Sequence, residues 1–129
     1  MALISFDDFL LLPGTPIYWQ IILYLKRGIA AGTVANGDEL PSRRVLSARL
    51  GVNPNTVQKA YRLLEEEGWI TSHAGAKSLV TYDPAGAARL RRELLAQDAR
   101  ALILAMRQTG LTKEEALQWV ETLWEEEET

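Results

Sequence analysis

Cysteine is absent from this chain, and histidine occurs once, at His73. The first absence excludes a disulfide framework, a thiolate zinc site and a cysteine nucleophile. With one histidine, no pair of imidazole zinc ligands is available either. Nor is there a glycine-rich phosphate loop or a set of spaced acidic metal ligands, so a catalytic reading has nothing to stand on, and no cofactor is expected. Long hydrophobic runs are missing as well. The apolar lead from Met1 to Leu12 is interrupted by Asp7 and Asp8 and has no basic flank, unlike a secretory signal. No run approaches the length that spans a bilayer, and a cytoplasmic protein is the expectation.

What is present is an ordinary apolar fraction, 47% of 129 residues, enough for one medium domain or two small units sharing a core. The net charge is −3, which excludes a uniformly basic nucleic-acid coat. Its distribution is uneven. Residues 1–82 hold eight basic and seven acidic groups, whereas residues 83–129 hold six and ten. Between Leu40 and Leu64 the sign reverses locally, with Arg43, Arg44, Arg49, Lys59 and Arg62 and no acid.

That basic stretch also carries the clearest folding signals. Ser42 after Pro41 marks a helix start, and Leu46 and Leu50 give that helix an apolar edge. Asn53 followed by Pro54 is a capping residue and then proline at the first helical position. Val57, Ala60, Tyr61 and Leu64 then recur at i, i+3, i+4 and i+7, one face of a second helix. Gly51 between them permits the sharp reversal of a helix-turn-helix. The second helix opens with Asn53, Asn55, Thr56 and Gln58, short or amide side chains able to read base edges or bind phosphate from a helix N-terminus. DNA binding is the expectation, set against a helical hairpin with a solvated basic face.

Upstream, Thr15 and Pro16 open a helix with Ile17, Ile21, Tyr24, Leu25 and Ile29 on one face, ended by Gly32. Gly28 beside that face is expected to admit another helix, and residues 1–14 form an arm packing on a partner. Downstream, Glu65, Glu66 and Glu67 oppose the helix dipole and read as a solvated end, with Gly68 at the cap. Trp69–Thr71 and Leu79–Tyr82 are expected as two strands of a wing, whose tip carries His73, Gly75 and Lys77. His73 reads as an exposed turn residue and Lys77 as a contact to phosphate or minor groove.

Asp83 and Pro84 start a helix running to about Thr109, and Thr112 with Glu115 forms a capping-box pattern for a last helix. Leu90, Leu94, Leu102, Ile103 and Met106 on the former, with Val120, Leu123 and Trp124 on the latter, exceed what one solvated helix hides. They predict a dimerisation surface. Arg89, Arg91 and Arg92 read as a solvated face, and Glu125–Glu128 as a frayed acidic tail. A mainly α fold follows. Residues 15–82 form a winged helix-turn-helix of three helices and a two-stranded wing, and residues 83–129 a two-helix dimerisation and effector hairpin.

The run PIYWQI, then LPSRRVLSARLGVNPNTVQKAYRLLEEEGWI, then a glycine-containing wing resembles the GntR family of bacterial regulators. The NPNTVQKAY wording and the short two-helix tail are most similar to its YtrA subfamily. The resemblance implies a homodimeric head on palindromic operator DNA, usually repressing transcription, often of transporter operons, and released by an effector. It also implies that Ser42, Arg43 and Arg44 touch backbone and groove, with Arg44 at the characteristic arginine. Asn53, Asn55, Thr56 and Gln58 fall on the contacting turn of the recognition helix, and Gly75 on the first wing glycine. Lys59, Arg62 and Lys77 complete the basic set. The family often has arginine where Pro54 and Gln58 stand, which implies a different target sequence. The usual glycine-x-glycine wing has become GAKSL. A protein-interaction module built on the same fold, without specific DNA binding, is the alternative.

Overall fold

In the computed structural model, which describes residues 2–73 and 77–128, the chain forms five helices and one antiparallel pair of strands. The helices are α1 (Ile17–Ala31), α2 (Arg43–Leu50), α3 (Pro54–Glu66), α4 (Pro84–Gln108) and α5 (Lys113–Glu128). The strands are β1 (Ile70–His73) and β2 (Lys77–Val80). Two compact units result, Met1–Arg91 and Arg92–Thr129.

The first unit is built on α3, against which α1, α2 and β1 pack. The predicted apolar face of α3, Val57, Ala60, Tyr61 and Leu64, is fully buried. It meets Ile21, Ile22, Leu25 and Ile29 of α1 and Leu46 of α2. Ile70 and Val80, paired across the wing, close the same core. The expected caps form. Ser42 Oγ accepts from Val45 N–H (3.1 Å), and Asn53 Oδ1 accepts from Asn55 N–H (2.8 Å). Gly51 takes the left-handed conformation the turn needs (φ 69°).

Three features differ from expectation. Gly28 admits a loop and not a helix: a Cβ there would lie 2.5 Å from Val34 Cγ2, because the chain folds back directly after α1. The N-terminal arm packs on its own chain. Leu3 bridges Glu39, which in turn bridges Leu79 of β2, and Ile4 and Phe6 are buried. Phe6 and Phe9 stack around Tyr24, whose hydroxyl donates to Ser5 O (2.9 Å). Desolvation, then Asp8 and Asp7, raise the pKa of that phenol. Of the arm's large apolar side chains, Leu3, Leu10, Leu11 and Leu12 stay exposed.

The wing strands also sit nearer the tip than their apolar residues indicated. Backbone pairing continues through Ser72↔Ser78 and His73↔Lys77, since a ladder needs amides and not apolar side chains. Thr81 still donates its N–H to Trp69 O (2.9 Å), and Tyr82 turns to Asn36 Oδ1 and Val34 O through its N–H and hydroxyl.

The second unit is sparse. α5 buries no residue, and α4 and α5 are not packed along their lengths. The turn between them uses Gly110 (φ 85°) and the predicted capping box. Thr112 N–H donates to Glu115 Oε1 (2.9 Å), and Glu115 N–H donates to Thr112 Oγ1 (3.2 Å). The closing glutamates are helical through Glu128, whose carboxylate accepts from Trp124 Nε1 four residues earlier.

Candidate nucleic-acid interface

The buried face of α3 decides what its opposite face can present. With Val57, Ala60, Tyr61 and Leu64 in the core, the 3.6-residue repeat turns Asn55, Gln58, Lys59 and Arg62 outward, and all four are exposed. Asn53 is exposed too, but its Oδ1 is occupied by the Asn55 amide, so it acts first as the cap that starts the helix. Asn55 and Gln58 have side-chain amides without a partner among the described residues. Thr56 is half-buried on the flank. The first turn of α3 holds no acidic residue, so the positive end of its dipole is left uncompensated.

The basic residues fall into two groups. Arg49 pairs with Asp7 of the arm, and Arg62 pairs with Glu66 one turn on (3.1 Å). Lys77, on β2, lies 3.9 Å from Glu39. By contrast, Arg43, Arg44 and Lys59 have no carboxylate partner among the described residues. Arg44 is exposed at the start of α2, next to the capping hydroxyl of Ser42. Arg43 lays its guanidinium 5.2 Å from the Tyr61 ring centre, and Lys59 Nζ stands 4.0 Å over the ring of Tyr18. Neither tyrosine is conspicuous in the sequence as a partner of a cation. Tyr61 reads there as core, and Tyr18 is not among the residues of its helix's apolar face.

Tyr61 is wholly buried, and its hydroxyl donates to Pro41 O (2.7 Å). Burial pushes that phenol far above its ordinary pKa, with the Arg43 charge opposing. The three glutamates at the end of α3 are each engaged. Glu67 pairs with Lys26 (2.9 Å), Glu66 with Arg62, and Glu65 accepts from the Ser72 hydroxyl. No cluster able to hold a metal ion occurs among the described residues. Gly75 lies outside the described residues. His73 is exposed, its Nε2 at 2.9 Å from Thr71 Oγ1.

Such a helix, turn and second capped helix, followed by a wing, is a DNA-reading head in form. Residues 17–80 match the model of bacterial regulatory proteins of the gntR family. Over 111 residues the chain is 32% identical to the HTH-type transcriptional repressor YtrA of Bacillus subtilis (strain 168), covering 85% of each protein. The chain belongs to the GntR family.

Solved members share the fold. A GntR family transcriptional regulator from Listeria monocytogenes superposes with a TM-score of 0.77 at 35% identity, over 87% of this chain and 98% of that one. YtrA from Sulfolobus acidocaldarius, a GntR-family transcription factor, gives 0.53 at 32% identity, over 98% of this chain and all of that one. These likenesses are consistent with the YtrA subfamily. As a GntR member the protein is a DNA-binding transcriptional regulator and not an enzyme.

The tail residues singled out for dimerisation are placed unequally. Leu90 is buried within the first unit and already covered by its own chain. Leu94 and Met106 are half-buried, while Leu102, Ile103, Val120, Leu123 and Trp124 are exposed. Leu95, Leu104, Leu117 and Trp119 are exposed as well. An open groove of about 440 Å³ runs between α4 and α5, lined by Leu102, Ile103, Met106, Leu117 and Val120 among others. No helix among the described residues is long and apolar enough to cross a membrane.

Proposed function

We propose that the protein is a homodimeric repressor that binds a palindromic operator through two copies of α3. The observation that carries this reading is the outward face of α3. There the amides of Asn55 and Gln58 are free, the helix N-terminus is uncompensated, and Arg44 stands unpaired beside it at the start of α2. Amide side chains at that turn suit adenine in the major groove, and the cations suit phosphate. Two heads one helical turn apart would read the two halves of a palindrome. Lys77 at the wing extends the contact toward the backbone. Repression is supported by the likeness to the Bacillus subtilis repressor. Such a regulator works in the cytoplasm, where its operator is.

Dimerisation is supported by the tail. A unit in which α5 buries nothing cannot hold its helices by its own core, and exposed apolar faces of this extent are covered in a stable protein. A second copy supplies the matching surface. An effector would act by favouring one spacing of the two heads, which requires unequal affinity for the two arrangements. Thermal-shift screening would read that as a ligand-dependent melting temperature.

The deciding experiment is fluorescence anisotropy on DNA from upstream of the protein's own gene, against unrelated DNA of equal length, at several salt concentrations. Preference of about a thousandfold or more, the low end for specific binders, is the expected outcome. A folded dimer that binds neither DNA at any salt would overturn the reading in favour of a protein-interaction module.

A further inference from the structure

Of the five basic residues between Leu40 and Leu64, two are neutralised and three are not. Arg49 carries Asp7 with it, and Arg62 carries Glu66. Moving either cation onto a phosphate brings a carboxylate toward the same phosphate, which offsets the gain. The Arg62–Glu66 pair is solvated on both sides, and such pairs are weak, but the acid remains tethered four residues away.

Arg43 and Lys59 are held differently. A ring face attracts a cation through its quadrupole and leaves the full charge available to a third party. Arg43 Nε is buried without a hydrogen-bond partner, and the residue as a whole is half-buried. The guanidinium therefore rests on the Tyr61 ring, with no carboxylate on it among the described residues. The ring beneath it cannot turn away, because Tyr61 is fully buried and its hydroxyl is tied to the carbonyl of Pro41, two residues before Arg43. Lys59 Nζ is seated on Tyr18, which brings α1 to the flank of the reading helix.

We propose that Tyr18 and Tyr61 are positioning residues that hold Lys59 and Arg43 as un-neutralised, pre-oriented phosphate contacts. The salt-dependent affinity of the head then rests on Arg43, Arg44 and Lys59 more than on Arg49 and Arg62. This inference rests on the DNA-binding reading and assigns its electrostatic share to particular side chains. A flexible lysine loses rotamer freedom when it docks on phosphate, and a ring that restrains it beforehand reduces that loss.

The test uses the full chain and a mixed-sequence duplex, because phosphate contacts are read without an operator. Lys59→Gln is expected to reduce the slope of log affinity against log salt by about 0.9, the share of one phosphate. Arg62→Gln is expected to reduce it by less. Tyr18→Leu is expected to weaken binding about two- to fivefold, the range of an exposed cation–π contact, with Tyr18→Phe close to wild type. In a Lys59→Gln background, Tyr18→Leu should then cost nothing further. Equal binding by the Leu and Phe variants, or an unchanged slope in Lys59→Gln, would overturn the inference while leaving the wild-type protein a DNA binder. Loss of duplex binding by the wild type itself would instead remove the underlying reading. Melting curves separate these effects from unfolding, and the Lys59 slope stands independently of how Tyr18→Leu folds.

Discussion

At Gly28 the α1 backbone and Val34 leave no room for a methyl group, since an added Cβ would sit 2.5 Å from Val34 Cγ2. Gly28→Ala is expected to destabilise the head by about 1–3 kcal/mol, as overpacking does. Thermal melting checks it, and adding Val34→Ala should recover part of the loss. Asn53 poses a different question, because its Oδ1 is already committed to the Asn55 amide. Asn53→Ala should cost about 1 kcal/mol of stability, whereas Asn53→Ser keeps a capping oxygen and most of the stability. If Asn53→Ser also retains operator affinity, Asn53 serves the helix and Asn55 the base. Asn55→Ala should then lower operator affinity by about 1–3 kcal/mol, with little change on unrelated DNA.

Among the elements, the capping box at the start of α5 has a pH dependence with a definite sign. The Thr112 amide and hydroxyl hold the Glu115 carboxyl below its ordinary pKa. Its contribution is therefore fully present above the unfolded-state value and is lost as pH falls through the lowered folded value. Helicity of the tail, followed by circular dichroism on acidification, should fall in that acidic window more in the wild type than in Thr112→Ala. The residue types carrying these helix starts are visible in the bare sequence: Ser42, Asn53, Asp83, and Thr112 with Glu115. Each cap is a local event within a few residues, so the chain alone specifies it. The neighbours of Gly28 and the partners of Arg49 and Lys59 are not local, and no spacing rule points to Asp7 or Tyr18.

For the whole molecule, the contrast between the two units matters most. The first closes a core around Tyr61, Ile21 and Leu25, and the second leaves Trp119 and Trp124 more than half exposed. Val120→Asp or Leu117→Asp is expected to shift the proposed dimer to monomer in light scattering after size exclusion. Operator affinity should fall with it, since one head alone makes half the contacts. The arm works at this scale too. By adding Leu3 beside Glu39, and Glu39 beside β2, it ties the N-terminus to the base of the wing.

The sequence by itself determined the order of elements, the caps, the buried face of α3 and the resemblance to the GntR family. All of these are written in periodicity, capping chemistry and a long contiguous motif, which act over a few residues. Only the tertiary structure decided that the arm folds back on its own chain and that Leu90 belongs to the core of the first unit. It alone decided which cations are neutralised by carboxylates and which rest on tyrosine rings. Those outcomes depend on side chains brought together from positions up to 42 residues apart, as Asp7 and Arg49 are. Distance in the chain carries no record of such a meeting until the core has closed.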